Sequence, residues 1–201
     1  MNITDTEQNE FNIKRRMILD QFKLLEINKN KKDECLIYPQ QKEEATKILL
    51  KIINKIRLIS FIAPMQWGKT GMVLYLSKLL STHVDNLINP QNIFFITGLN
   101  DNEWKIQIKE RIIDLWKNNV YHRKQFFRKK DNLLDKLITI SNALIIVDEC
   151  QIASYDGQGI TKLFKKFNLL DLEELNKRNI FILQISATPD NIIIDSDRWG
   201  K

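Results

Sequence analysis

Apolar positions in the first fifty residues recur at helical spacing. Phe11, Ile18, Phe22 and Leu25 follow at steps of seven, four and three, which is one face of a helix. Thr4 and Glu7 precede them with capping-box spacing, in which two side chains satisfy backbone donors at a helix start. The polar run Asn28 to Glu34 closes this helix and reads as a linker. A second helix is predicted from about Gln40 to Ile56, with Ala45, Ile48, Leu49, Ile52 and Ile53 inward.

Beyond residue 57 the pattern changes to short continuous apolar runs separated by amphipathic stretches. Leu58 to Ile62, Ile93 to Thr97, Ala143 to Val147 and Ile180 to Ile185 read as strands buried on both faces. Lys69 to Leu80, Asn102 to Trp116 and Ile160 to Lys177 read as the intervening helices, with Trp104, Ile108, Ile112 and Leu115 on one stripe of the second. One more strand is expected around Leu137 to Ile140, beside the weakly patterned segment Tyr121 to Lys136. No internal repeat interrupts the alternation. Strands alternating with helices predict an α/β fold: a mostly parallel sheet with helices on both faces, plus the N-terminal helix.

Composition mainly excludes. The chain has 201 residues, 43% hydrophobic and 28% charged, an ordinary globular balance for one domain or two very small ones. No apolar run approaches the roughly 20 residues of a membrane helix, and the start is polar rather than signal-like, so no membrane partner is expected. Two cysteines, Cys35 and Cys150, are too few for a disulfide framework or a four-ligand zinc site. An intracellular setting, cytoplasmic or nuclear, is the expectation. The net charge of +6 is compatible with a polyanionic partner without requiring one. The chain is also rich in Asn, Ile and Lys, which makes a lysine cluster less informative here than usual.

Chemistry concentrates at strand ends. After the first strand comes Ala63-Pro-Met-Gln-Trp-Gly68-Lys69-Thr70, a phosphate-loop pattern with Ala63 at its first glycine position. Backbone amides at such a strand-to-helix turn point at phosphates, and the helix dipole favours negative charge. Lys69 would neutralise the outer phosphates of a nucleotide, the Thr70 hydroxyl would hold Mg²⁺, and Gly68 lets the backbone approach closely. Gly-Lys-Thr alone arises readily by chance in a lysine-rich chain; its place between a buried strand and a helix is what the motif requires. The third clear strand ends in Asp148-Glu149-Cys150-Gln151, delivering two carboxylates to the edge where open α/β sheets bind ligands. Asp148 would serve the metal, and Glu149 would orient and deprotonate water. Ser186-Ala187-Thr188-Pro189 closes the last strand and by itself could be a plain turn.

Together these motifs resemble the first RecA-like domain of superfamily 2 helicases and translocases of the DExD/H type. Gln66 to Thr70 looks like their motif I, Asp148 to Gln151 a DExQ form of the acidic box, and Ser186-Ala-Thr188 their motif III. The resemblance covers about Tyr38 to Asp190. It implies a RecA-like P-loop NTPase lobe over 35–195, preceded by a helical extension and linker at 1–34, with 196–201 starting a linker to a second lobe. It also implies ATP hydrolysis coupled to nucleic-acid remodelling, with DNA or RNA as partner. Nucleotide contacts carry over onto Met65, Gln66, Trp67, Gly68, Lys69, Thr70 and Gly71; Ser186 and Thr188 inherit coupling of the ATP site to the nucleic acid. Gln41 is the preferred adenine-reading glutamine, with Gln40 the alternate, since an amide both donates and accepts. Thr97, Gly98 and Asn100 fall where motif Ia contacts the nucleic-acid backbone, although helix capping explains Asn100 and Asp101 equally well.

The departures are Gln151 in place of the commoner His or Asp, and Trp67, bulky for a loop that wraps phosphates. The family's second RecA-like lobe, which supplies an arginine to the γ-phosphate, is expected in cis or in trans, and low activity is expected of this lobe alone. Competing readings are the ATPase domain of a viral DNA-packaging terminase and a non-hydrolysing nucleotide- or partner-binding module. Terminases commonly carry an arginine inside the loop, where this chain has Pro64, Met65, Gln66 and Trp67. The cluster His122 to Lys130 around Phe126 and Phe127 reads as a phosphate-and-stacking surface or, slightly preferred, as a solvated basic helix with two core phenylalanines. His83 and His122 are expected at the surface, and Tyr155 to Gly159 in a loop.

Overall fold

Parallel pairing of short apolar runs organises the chain. The computed structural model describes residues 5–30, 37–83, 85–128, 131–149 and 159–187. Helix α1 (Asp5–Asn30) and helix α2 (Pro39–Ile53) lead into β1 (Leu58–Ile62), α3 (Lys69–Ser81), β2 (Ile93–Thr97) and α4 (Asn102–Arg111). A 3₁₀ turn at Asp114–Asn119 enters β3 (Val120–His122), followed by α5 (Leu133–Thr139) and β4 (Ala143–Asp148). Helices α6 (Gly159–Lys166) and α7 (Leu172–Arg178) precede β5 (Ile180–Ser186). The five strands form one all-parallel sheet in the order β1-β5-β4-β2-β3.

Alternate residues of each strand feed two apolar layers, one per face. Leu144 and Ile146 of β4 join Ile18, Phe22, Ile48, Ile52, Leu76 and Trp116 on the face covered by α1, α2 and α3. Ala143, Ile145 and Val147 join Leu133, Leu137, Leu163, Phe164 and Leu175 on the face covered by α5, α6 and α7. Every residue of β2 and β5 is buried, as the sequence pattern requires. β1 differs: it is an edge strand, with Ser60 and Ile62 exposed. A continuous apolar run cannot distinguish an edge from an interior strand.

The N-terminal helix belongs to the first layer. Phe22 is fully buried, packed edge-to-face on Trp116 at 5.9 Å between ring centroids. The expected face of α2 holds through Ala45, Ile48 and Ile52, whereas Ile53 is exposed because the helix ends there and Lys55 turns left-handed.

The observed elements depart from the expected ones in several places. The helix expected to run to Trp116 stops at Arg111, and Ile112 is extended so that Ile112 and Ile113 are both buried. Trp116 then donates its indole N–H to the Pro90 carbonyl at 2.8 Å. The stretch 160–177 is largely helical, as expected, and is divided in two: Asn168 is left-handed, and the Asp171 side chain caps α7 by accepting from the Glu173 and Glu174 amides. The extra strand is not at Leu137 to Ile140, where α5 buries Leu133 and Leu137 one turn apart. It is the three-residue β3, too short to show a period. Its last residue, His122, pairs with Thr97 and is buried rather than at the surface; His83 is half-buried beside Asp85. Of the two cluster phenylalanines, Phe126 is buried and Phe127 exposed. Thr4, the linker at 31–34, Cys35, Lys129, Lys130, Cys150, Gln151, residues 155–158, Thr188, Pro189 and the expected linker at 196–201 lie outside the described residues.

Burial, then the positive charges of Lys105 and Arg128, hold the His122 imidazole below its ordinary 6.5, with Asp131 opposing them. The unfolded chain therefore takes up this proton first. Its contribution to stability is constant above about pH 6.5 and declines as pH falls through that value toward the folded pKa. Denaturant titrations between pH 7.5 and 5.5 will show a steeper stability loss in the wild type than in His122→Gln; equal slopes would contradict this.

Candidate functional site

Because every strand points the same way, all their carboxyl ends lie on one edge of the sheet. Ile62 of β1 is in register with Ser186, and Asp148 is flanked by Thr97 on one side and Ile185 on the other. The loop 63–68, Glu149 and the turn 98–101 therefore leave the sheet together. Ala63 is buried and donates its N–H to the Ser186 carbonyl at 3.1 Å, which ties the loop's start to β5.

The loop then reverses twice through left-handed backbone, at Gln66 (φ 64°) and Gly68 (φ 88°). Gly68 has no Cβ penalty there, while Gln66 costs on the order of 1 kcal/mol. Among the described residues, five of the eight non-glycine residues with positive φ are asparagines, which tolerate that conformation. The other three are Lys55, Gln66 and Glu149, so two of the three less tolerant residues fall at this edge. The Trp67 ring packs edge-to-face on Phe61 at 5.3 Å and does not line the cavity below the loop. Met65 is 79% exposed.

That cavity, about 20 Å³, is walled by Lys69, Thr70, Trp104 and Asp148 on its polar side and by Val73, Phe95 and Ile185 among its apolar residues. It has room for a single water and is far too small for a nucleotide, whose phosphates would need the open side of the loop. Lys69 Nζ lies 3.9 Å from Glu149 Oε1 and donates to the Ala63 carbonyl at 3.4 Å. Asp148 Oδ2 accepts from the Trp104 indole N–H at 2.9 Å, and Oδ1 accepts from the Glu149 amide at 3.1 Å. Burial pushes the Asp148 carboxyl above its usual range, and the indole bond pulls it back.

Gln41 reaches this site from α2. It is buried, its Oε1 accepts from the Tyr38 amide at 2.9 Å, and its side-chain amide occupies the space a Cβ would need at Gly68 and Gly71. Gln40 is exposed. Ser186 is buried on β5. Thr97 is buried too, and its hydroxyl accepts from the Leu99 amide at 3.2 Å. Gly98 is buried and Asn100 exposed. Lys69, Thr70, Asp148 and Glu149 thus converge, with Gln41 against the loop's glycines, while Thr97, Gly98 and Asn100 occupy the neighbouring turn. Sequence reasoning missed Trp104 as a partner of Asp148; only the pairing of β2 beside β4 brings them together.

Among the described residues no group of three or more His, Cys, Asp or Glu forms a metal site. The donors present suit a hard cation that takes one or two protein oxygens and completes its shell with phosphate and water, the habit of Mg²⁺. No helix among the described residues is long and apolar enough to cross a membrane. No protein-family model matches the chain, and no curated protein matches it.

A double-mutant cycle tests the indole–carboxylate bond. Trp104→Phe and Asp148→Ala are expected to couple by about 1.5 kcal/mol or more in denaturant stability at pH 7, the range of hydrogen bonds to charged groups. Additive losses would mean the bond contributes nothing.

Proposed function

We propose that this chain is the ATP-binding, RecA-like lobe of an ATP-dependent nucleic-acid helicase or translocase. The observation that carries the reading is the shared cavity: Lys69, Thr70 and Asp148 line it together, with Glu149 in ion-pair range of Lys69. A phosphate-loop lysine and hydroxyl meeting a strand-end carboxylate is the combination that phosphoryl transfer needs. The left-handed residues of the loop support it further, since such turns direct successive amides toward an anion.

Thr70 and Asp148 would hold Mg²⁺, and Mg-ATP would supply an activated terminal phosphate. Lys69 offsets phosphate charge, exchanging its present partners, Glu149 and the Ala63 carbonyl, for stronger ones. Glu149 is left to orient water and accept its proton. Gln41 is set to read the adenine edge. A second lobe, in cis or in trans, would add the arginine, worth about 10³–10⁵ in rate in related phosphoryl-transfer enzymes, so slow hydrolysis is expected without it. Nucleic acid is the expected partner of the 97–100 turn, with Ser186 and Thr188 as the coupling residues.

Calorimetric titration with Mg-ATP is expected to give at least about tenfold weaker binding to Lys69→Ala than to the wild type, since a charge-assisted contact is worth about 1.5–3 kcal/mol. Equal affinities would remove the basis of the assignment. Gly71→Ala displaces the Gln41 amide, since the new Cβ needs its space. The expected outcome is lost preference for ATP over GTP with little change in triphosphate affinity; retained preference would remove Gln41 from adenine reading.

A further inference from the structure

On the outer edge of the sheet, beside β3, lies a pocket of about 400 Å³ that the reading above does not use. Its wall includes Lys105 and Lys109 from α4, Lys117 from the 3₁₀ turn and Lys136 from α5, against one carboxylate among the described residues, that of Asp131. These cations are not equally available. Lys136 spends its three N–H donors on the Asn118 carbonyl at 3.0 Å, Asn119 Oδ1 at 2.8 Å and the Tyr121 hydroxyl at 3.1 Å. Lys117 pairs with Asp114 at 2.6 Å. Lys105 spends one donor, on Gln125 Oε1 at 2.7 Å. The Lys109 side chain makes no hydrogen bond or ion pair among the described residues.

Two neighbouring groups register the excess of positive charge. Lys105 is held below the usual lysine range by burial and then by Lys109, with Asp131 opposing. His122 is held down by burial and then by Lys105 and Arg128. Gathering like charges in a partly buried pocket opposes folding unless an anion offsets them. Among the described residues the lining contains lysines and no arginine. Planar carboxylates are matched best by the arginine fork, whereas lysines act as point charges that can approach a tetrahedral phosphate from several elements.

We propose that this pocket is a second phosphate-binding site, in which Lys105 and Lys109 hold a phosphate group carried by a small phosphorylated molecule or by a nucleic-acid backbone. Lys117 adds charge at the rim, and Lys136 and Gln125 fix the walls. The site is separate from Lys69 and stands whether or not the loop binds ATP.

The test uses the full chain carrying Lys69→Ala, so that the phosphate loop contributes little to the response. Sodium pyrophosphate and a 12-nucleotide single strand are titrated separately, read by NMR shifts of the Lys105, Lys109 and Tyr121 amides. Lys105→Ala/Lys109→Ala is compared with Lys51→Ala/Lys162→Ala, which removes the same charge elsewhere. The expected result is a response that weakens at least tenfold in the first pair and is unchanged in the second. A response to pyrophosphate identifies a small phosphorylated ligand. A response to the strand alone identifies the backbone, and the salt dependence of its binding should then flatten by about 1.4, two contacts at about 0.7 each. No shift at these amides with either probe, or equal losses in both double variants, overturns the proposal. Mg-ATP binding by chains with Lys69 intact is measured separately, so a failed phosphate loop and a failed edge pocket give different results.

Discussion

The direction of the strands is the constraint from which the site follows. Parallel strands cannot be joined by tight hairpins; each needs a crossover long enough to return the chain to its starting edge. Each described crossover therefore leaves the sheet from the same edge, and Lys69 and Asp148, 79 positions apart in sequence, meet there. Lys69 and Asp148 come from crossovers on different strands, and β5 lies between them. The Ala63–Ser186 hydrogen bond shows how closely the loop follows that middle strand. Moving β5 would displace the loop and the acidic pair relative to each other, because it lies between the strands that carry them.

Charge at this edge is arranged in opposition. Lys69 faces Glu149, Asp148 is raised by burial and steadied by an indole donor, and Glu149 sits on left-handed backbone. A strained, partly compensated arrangement of this kind is costly for a surface that does nothing, because local strain must be held by the surrounding packing. Here the packing is the two-layered apolar sheet, whose β2 and β5 are buried throughout.

Much of the architecture was legible because its signals are local. Four strands appear as apolar runs, and the loop 63–68 and the acidic pair sit at their ends. What local pattern could not carry was rank within the sheet. β1 reads like an interior strand and lies at the edge. β3 has only three residues, too few to show a period, while Leu133 and Leu137 of α5, four apart, carry a helical signal inside a weakly patterned segment. The break at Ile112 comes from Trp116 being claimed by Pro90, Phe22 and Phe95, a contact that no short window contains. At the site, Lys69, Thr70 and Asp148 could be named from motifs, whereas the Trp104–Asp148 bond depends on the lateral pairing of β2 and β4. The Asp171 cap was readable in principle from Asp-Leu-Glu-Glu and marks where the long helix divides.

Gln41 has a consequence for anyone who would treat the strand, loop and first helix turn as a portable unit. Its amide fills a notch left by two absent methyl groups, at Gly68 and Gly71, and is clamped in turn by the Tyr38 backbone. The curvature of the loop is thus moulded partly by an element that precedes it by more than twenty residues. A graft taking only residues 58–81 into another scaffold would leave that mould behind, and the transplanted turn would be free to relax away from the curvature it holds here.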